Sequence, residues 1–179
     1  MPDRVFELKF PASRIPELAG RYVYDDDAGC RAAGAAARAR GHYTRSELIV
    51  ICDWKTSRSR ALVASNRSPV VVARTRAAFR ATAERLRMME LIKLNGVAVR
   101  TASVLLHFAY PDRYPILDVR ALDSLGVTTK PYSIKLWLEY LEACREFAVE
   151  YGVSIRTLDK ALWQHSKESS PHGPRARCD

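Results

Sequence analysis

Apolar residues recur along this chain at helical rather than strand spacing, and the breaks between periodic stretches are marked by Gly, Pro and Asn. Residues 28–40, AGCRAAGAAARAR, consist mainly of the helix formers alanine and arginine and stop at Gly41, which predicts a helix with a basic face despite Gly29 and Gly34. Thr44 is followed three residues later by Glu47, a capping box, so a buried helix is expected to start near Thr44 and run through LIVIC into DWKTSRSRALVASN. The β-branched run Ile49, Val50 and Ile51 keeps a strand open there. After the break at residues 66–69, Val71, Thr75, Ala78, Phe79, Ala83, Leu86 and Met89 share one helical stripe, which predicts a single long amphipathic helix with its arginines outside.

Asn95-Gly96 then separates this helix from VRTASVLLHFAY, whose apolar content suits the centre of the core. Pro111 and Pro115 end that segment, ILDVRALDSLG forms a short helix stopped by Gly126, and residues 131–152 and 154–167 supply two more. The first 27 residues, with Pro2, Pro11, Pro16 and the acidic run Asp25–Asp27, read as an irregular arm leading to a helix start. With no repeat and no central linker, the expectation is one all-α domain over residues 1–166 and a disordered tail over 167–179. Trp137, Tyr140, Phe147, Leu162 and Trp163 sit among leucines at helical spacing and are assigned to the core.

Charge narrows the function classes. The 29 Lys and Arg outnumber the 20 Asp and Glu, a net charge of +9 that favours a polyanionic partner, with nucleic acid first. No apolar run approaches the roughly 20 residues of a membrane helix, and MPDRVFELKF lacks the apolar stretch of a secretory signal; the expectation is a cytoplasmic monomer away from membranes. The cysteines at 30, 52, 144 and 178 show no CxxC pairing, and the histidines at 42, 107, 165 and 172 lack ligand spacing, which predicts reduced thiols and no structural metal. His107, on its apolar segment, is read as structural.

The stretch from Leu94 to Asp118, LNGVAVRTASVLLHFAYPDRYPILD, joins a tight turn, an apolar helix and a carboxylate in an apolar setting. Gly96 permits backbone geometry closed to other residues, Ala98 is small enough for close approach to a surface, and the helix starting near Val99 offers free N–H groups to a phosphate, with Arg100 and Thr101 adding charge and a hydroxyl. Lys93, Arg85 and Arg87 are candidates for the same phosphate track, although for any one of them a solvated charged face is the readier reading.

Residues 94–102 resemble the L-P-G-V-G-x-x-T-A signature of the helix-hairpin-helix DNA glycosylases related to endonuclease III and the adenine glycosylases. The likeness continues to P-I-L-D at 115–118, with Arg120, Leu122 and Leu125 beyond, and spans about thirty residues. Asn95 replaces the usual proline and Ala98 the second glycine. The resemblance implies a compact helical glycosylase-like domain, DNA binding by the hairpin through Asn95, Gly96, Ala98, Arg100 and Thr101, a Na⁺ or K⁺ ion on the Leu94 and Gly96 carbonyls, and Asp118 as the catalytic carboxylate. No other cofactor is implied, and the chain lacks the C-terminal cysteine cluster of members that carry an iron–sulfur centre. Arg100 stands where strand-cutting members carry a lysine; an arginine stays protonated and forms no Schiff base, so the implied reaction is monofunctional hydrolysis of the N-glycosidic bond.

A carboxylate beside the sugar stabilises the oxocarbenium-like transition state of that hydrolysis and orients water. Asp118 also stands where it can cap the following helix, and both roles are compatible. For the extruded base, the DWKTSRS segment supplies candidates: Trp54 to stack or wedge, Asp53 or Lys55 to meet the base or leaving group, and Arg58 to reach a phosphate. A solvated helix end with Trp54 packed in the core accounts for these residues equally well. Two alternatives stay open: a non-catalytic helix-hairpin-helix DNA binder with Asp118 only a cap, and a nuclease or abasic-site lyase using Lys55 or Lys93 as its amine. The short chain also admits a specialised role on modified bases of foreign or viral DNA.

Overall fold

Helix boundaries fall where capping chemistry and chain-breaking residues put them. In a computed structural model of the chain, residues 6–23, 27–128 and 131–169 are described; among them every regular element is helical. The elements are α1 (Ile15–Gly20), α2 (Ala28–Arg40), α3 (Arg45–Lys55), α4 (Arg60–Ala64), α5 (Ser68–Arg80), α6 (Glu84–Leu91), α7 (Val99–Ala109), α8 (Val119–Ser124), α9 (Ile134–Glu150) and α10 (Ile155–Ser169), with single 3-10 turns before α1 and α4. The expected capping box is formed: the Thr44 side chain accepts from the Glu47 N–H, and Glu47 accepts from the Thr44 N–H at 2.8 Å. The β-branched run at 49–51 is helical, its Ile51 inside α3's buried face.

Three expectations about elements are corrected. The N-terminal arm contains α1, with Pro16 in its first turn, where a missing N–H costs nothing. The segment from Thr44 to Asn66 is two helices, because the Thr56 hydroxyl accepts from the Arg58 N–H and starts a new turn. The stripe drawn from Val71 to Met89 is likewise broken at residues 81–83, which shifts the helical phase and leaves Ala83 and Leu86 exposed while Met88 is buried. Arg87, expected outside on a phosphate track, is 7% exposed. Its guanidinium donates to the carbonyls of Ala78, Phe79 and Ala81 at 2.8, 3.1 and 2.6 Å, capping the orphan acceptors of α5. The disordered-tail expectation lies largely outside the described residues, and Lys167–Ser169 are helical.

The apolar helix α7 runs through the core, with ten of its residues buried, and packs against α2, α3 and α6. Gly34 on α2 makes the α2–α7 approach possible: a Cβ there would lie 2.1 Å from the Phe108 carbonyl oxygen. On the other side α10 packs on α1 and α8, and α9 closes the core with Trp137, Tyr140, Leu141 and Phe147. No described helix is long and apolar enough to cross a membrane. Cys30, Cys52 and Cys144 are buried and lie outside any disulfide among the described residues; Cys178 lies outside those residues.

Between α7 and α8 the chain crosses the interior without secondary structure, and residues 114–117 are all buried. Buried backbone needs partners, and four side chains on three helices, α7, α9 and α10, supply them. The His107 Nδ1–H donates to the Tyr114 carbonyl at 2.7 Å, the Ile116 N–H donates to Asp159 at 3.0 Å, the Tyr140 hydroxyl donates to the Ile116 carbonyl at 2.9 Å, and the Leu117 N–H donates to the Ser103 hydroxyl at 3.0 Å. This explains the buried His107 as structural, and burial depresses its basicity, keeping the ring neutral. The same clamps deliver Asp118 to a fixed position.

Candidate functional site

Asp118 ends the clamped segment and starts α8. Its Oδ1 accepts from the Arg120 N–H at 3.0 Å, so the capping role is real. Its Oδ2 receives the Lys55 ammonium in a direct hydrogen-bonded ion pair, with the Arg100 guanidinium 3.6 Å away. Burial pushes the carboxyl's pKa up, but Lys55, the Arg120 N–H and Arg100 together outweigh it and bring the value down to about 2. Asp118 is thus ionised at neutral pH while its side chain is only 15% exposed.

Around this pair lies a cavity of about 180 Å³ lined by Tyr22, Trp54, Lys55, Ile116, Asp118, Ala121, Asp159 and Trp163. α3 contributes Trp54 and Lys55 from its last turn, α10 contributes Asp159 and Trp163 one turn apart, and Tyr22 comes from the chain after α1. The Tyr22 and Trp163 rings meet edge to face with centroids 5.2 Å apart, while Trp54 stands edge to face on Phe108 at 5.1 Å. Burial raises the Tyr22 phenol to about 12, so it stays neutral. Cations surround these rings: Arg156 and Lys160 lie over Tyr22, and Arg120 and Lys167 over Trp163.

Of the residues expected to line a pocket, Trp54 and Lys55 do so and Asp53 does not; Asp53 pairs with Arg60 on the outer side of α3. Trp163, expected in the core, is half-buried and lines the cavity, because it falls on the margin of α10's apolar face rather than its centre. Tyr22 and Asp159 were not anticipated. An aspartate one turn before a tryptophan on an amphipathic helix was the available signal, and α10's partners could not be read from it.

The turn at 92–98 between α6 and α7 has the glycine geometry expected of it. Gly96 has φ of +75°, and a Cβ there would meet Leu62 and Val63 at 2.9 Å. Asn66, which sequence reasoning passed over as a chain break, holds the turn in place: its Oδ1 accepts from the Asn95 N–H and its Nδ2 donates to the Asn95 carbonyl, both at 2.9 Å. Asn95 and Ala98 are exposed and Gly96 partly so, while Thr101 is 6% exposed and faces the interior. Lys93 is exposed and paired with Glu90, Arg58 is exposed on the turn before α4, and Arg85 is exposed on α6. Ala98 provides no side-chain cap to the first turn of α7. The Leu94 carbonyl accepts from the Val97 N–H at 3.1 Å within the turn. No grouping of three or more His, Cys, Asp or Glu suited to a metal occurs among the described residues.

Searches of protein-family models, curated proteins and solved structures found no match to this chain.

Proposed function

We propose that this protein is a DNA glycosylase that hydrolyses the N-glycosidic bond of an extruded base and leaves an abasic site. The observation that carries the reading is an ionised, position-locked Asp118 on the wall of an aromatic-lined cavity, brought there by the helix that follows the tight turn. In this reading α6, the turn and α7 form a helix-hairpin-helix unit. Exposed Asn95 and Ala98 and the uncapped N–H groups of α7 hold a phosphate, Lys93, Arg100 and Arg58 add charge, and a monovalent cation can sit on turn carbonyls.

The base enters among Tyr22, Trp54 and Trp163 while its sugar faces Asp118. As the glycosidic bond breaks, positive charge builds on the sugar and the Asp118 carboxylate stabilises it; the bonding pair leaves with the base, which takes up a proton, and water adds at C1′ and gives up a proton. The Lys55 ammonium, already a donor at this point, is placed to hydrogen-bond the departing base. The test is base release and alkali-labile sites across a panel of damaged and naturally modified DNAs. Asp118→Asn should abolish release while retaining salt-dependent DNA binding; intact DNA across the panel despite tight binding would favour a non-catalytic DNA binder.

The position of Lys55 on the cavity wall beside Asp118 supports a second reading, an abasic-site lyase. Lys55 as free amine would add to the C1′ aldehyde of an abasic sugar and expel water as an iminium forms; loss of a C2′ proton would then release the 3′ phosphate. Lys93, exposed and paired with Glu90, has no such neighbour in Asp118. Borohydride should trap wild type but not Lys55→Gln on abasic DNA if this reading holds, and neither protein if hydrolysis alone is catalysed.

A further inference from the structure

The cavity holds two carboxylates in different surroundings, and the second is unused by the reaction above. Asp118 is answered by Lys55 and Arg100. Asp159, whose side chain is 8% exposed, is fixed through both oxygens: Oδ1 accepts the Ile116 N–H at 3.0 Å, and Oδ2 accepts Arg156 Nη1 at 2.8 Å. Arg156 is held in turn by buried Asp27, 3.0 Å from its Nη2. A carboxylate has about four lone-pair directions, so two protein donors leave acceptor capacity on a group that cannot turn away. A rigid acceptor on the wall of an aromatic-lined cavity discriminates among bases that fill it, because a base seated there with an unmatched edge loses its hydration without compensation.

Resting on the glycosylase reading, we infer that Asp159 reads the extruded base, and that the substrate is a nucleobase presenting an exocyclic amino group, of the cytosine, adenine or guanine type, rather than a keto-edged base such as uracil or thymine. An amino N–H donates to the free lone pair of Asp159, the pairing carboxylates make with base amino groups elsewhere. A uracil or thymine carbonyl in the same place sets oxygen against carboxylate oxygen and leaves both unpaired. The aromatic rings supply affinity without choosing among bases, since every base has a π-face. A modification that spares the amino group, such as ring alkylation or a substituent at C5, remains acceptable, whereas deamination removes the feature being read.

The experiment is calorimetric titration of the full-length protein with free cytosine, adenine, uracil and thymine, alongside Asp159→Asn and Trp163→Ala. Wild type is expected to bind the amino bases at least about tenfold more tightly than uracil or thymine. Asp159→Asn, whose amide can donate as well as accept, should compress that preference to within about threefold. Trp163→Ala should weaken every base alike and leave the preference intact. Equal affinities in wild type, no binding of any base, or a preference that survives in Asp159→Asn each overturn the inference, the first two without any variant. The glycosylase reading fails separately: free amino bases would bind selectively although no DNA loses a base. Release of uracil from DNA as readily as amino-bearing bases would sink the inference and leave the glycosylase standing.

Discussion

The Asp118 carboxylate is anchored through both oxygens, one by the first turn of α8 and one by Lys55, and this sets how its charge feeds into stability. Its folded pKa of about 2 lies below the ordinary value of 3.8, so the folded state binds fewer protons than the unfolded chain as the group titrates. The resulting stabilisation is full above about pH 4 and fades as pH falls toward 2; a shift of this size corresponds to about 2 kcal/mol. Urea unfolding near neutral pH should therefore show Asp118→Asn less stable than wild type by about that amount, with the gap closing on acidification. A gap that stays constant across that range would mean that the lost stability is packing rather than charge.

Two helix junctions place the site. α2 can lie against α7 only because Gly34 has no side chain where the Phe108 carbonyl approaches. Gly34→Ala removes a helix-weakening glycine, which by propensity alone would stabilise by roughly 0.5–1 kcal/mol. Here the clash is with backbone and should win, destabilising by about 1–3 kcal/mol in thermal or urea unfolding. The second junction is the Asn66 clamp on the 92–98 turn. Asn66→Ala removes both hydrogen bonds to the Asn95 backbone and one to the Val63 carbonyl at 2.9 Å, and leaves buried groups unpaired. A loss of about 1–3 kcal/mol is expected. On the glycosylase reading, DNA affinity should fall further than the fraction unfolded accounts for, because the phosphate-binding turn is no longer fixed. Unchanged affinity of the folded fraction would show that DNA does not touch the turn.

Across the whole molecule the net charge of +9 and the cations ringing the cavity favour a phosphate backbone, and counterion release then makes binding steeply dependent on salt. A plot of log affinity against log salt for duplex DNA should fall by about 0.9 per phosphate contacted. Lys93→Gln, beside the turn, is expected to make the slope shallower by about 0.9 and to weaken binding alike on all sequences. A slope that does not move would place Lys93 away from the strand and leave it to its pair with Glu90.

Local rules carried much of the helix map. The capping box at Thr44, the stops at Gly41 and Gly126, the apolar run of α7 and the turn glycine at 96 each act through neighbours a few residues apart, so the sequence by itself determined them. It also picked out Asp118, Trp54 and Lys55, and the structure brings these three to one cavity. The tertiary structure decided what depends on distant partners. The break at 81–83 rests on Arg87 folding back onto α5's carbonyls, and the hold on residues 114–117 comes from Ser103, His107, Tyr140 and Asp159. Tyr22 and Trp163 meet across 141 residues of chain. Sequence periodicity shows which face of a helix is apolar, but only the packing of α1, α3, α8 and α10 fixes which margin of that face becomes a cavity wall, because that depends on side chains that no local spacing relates.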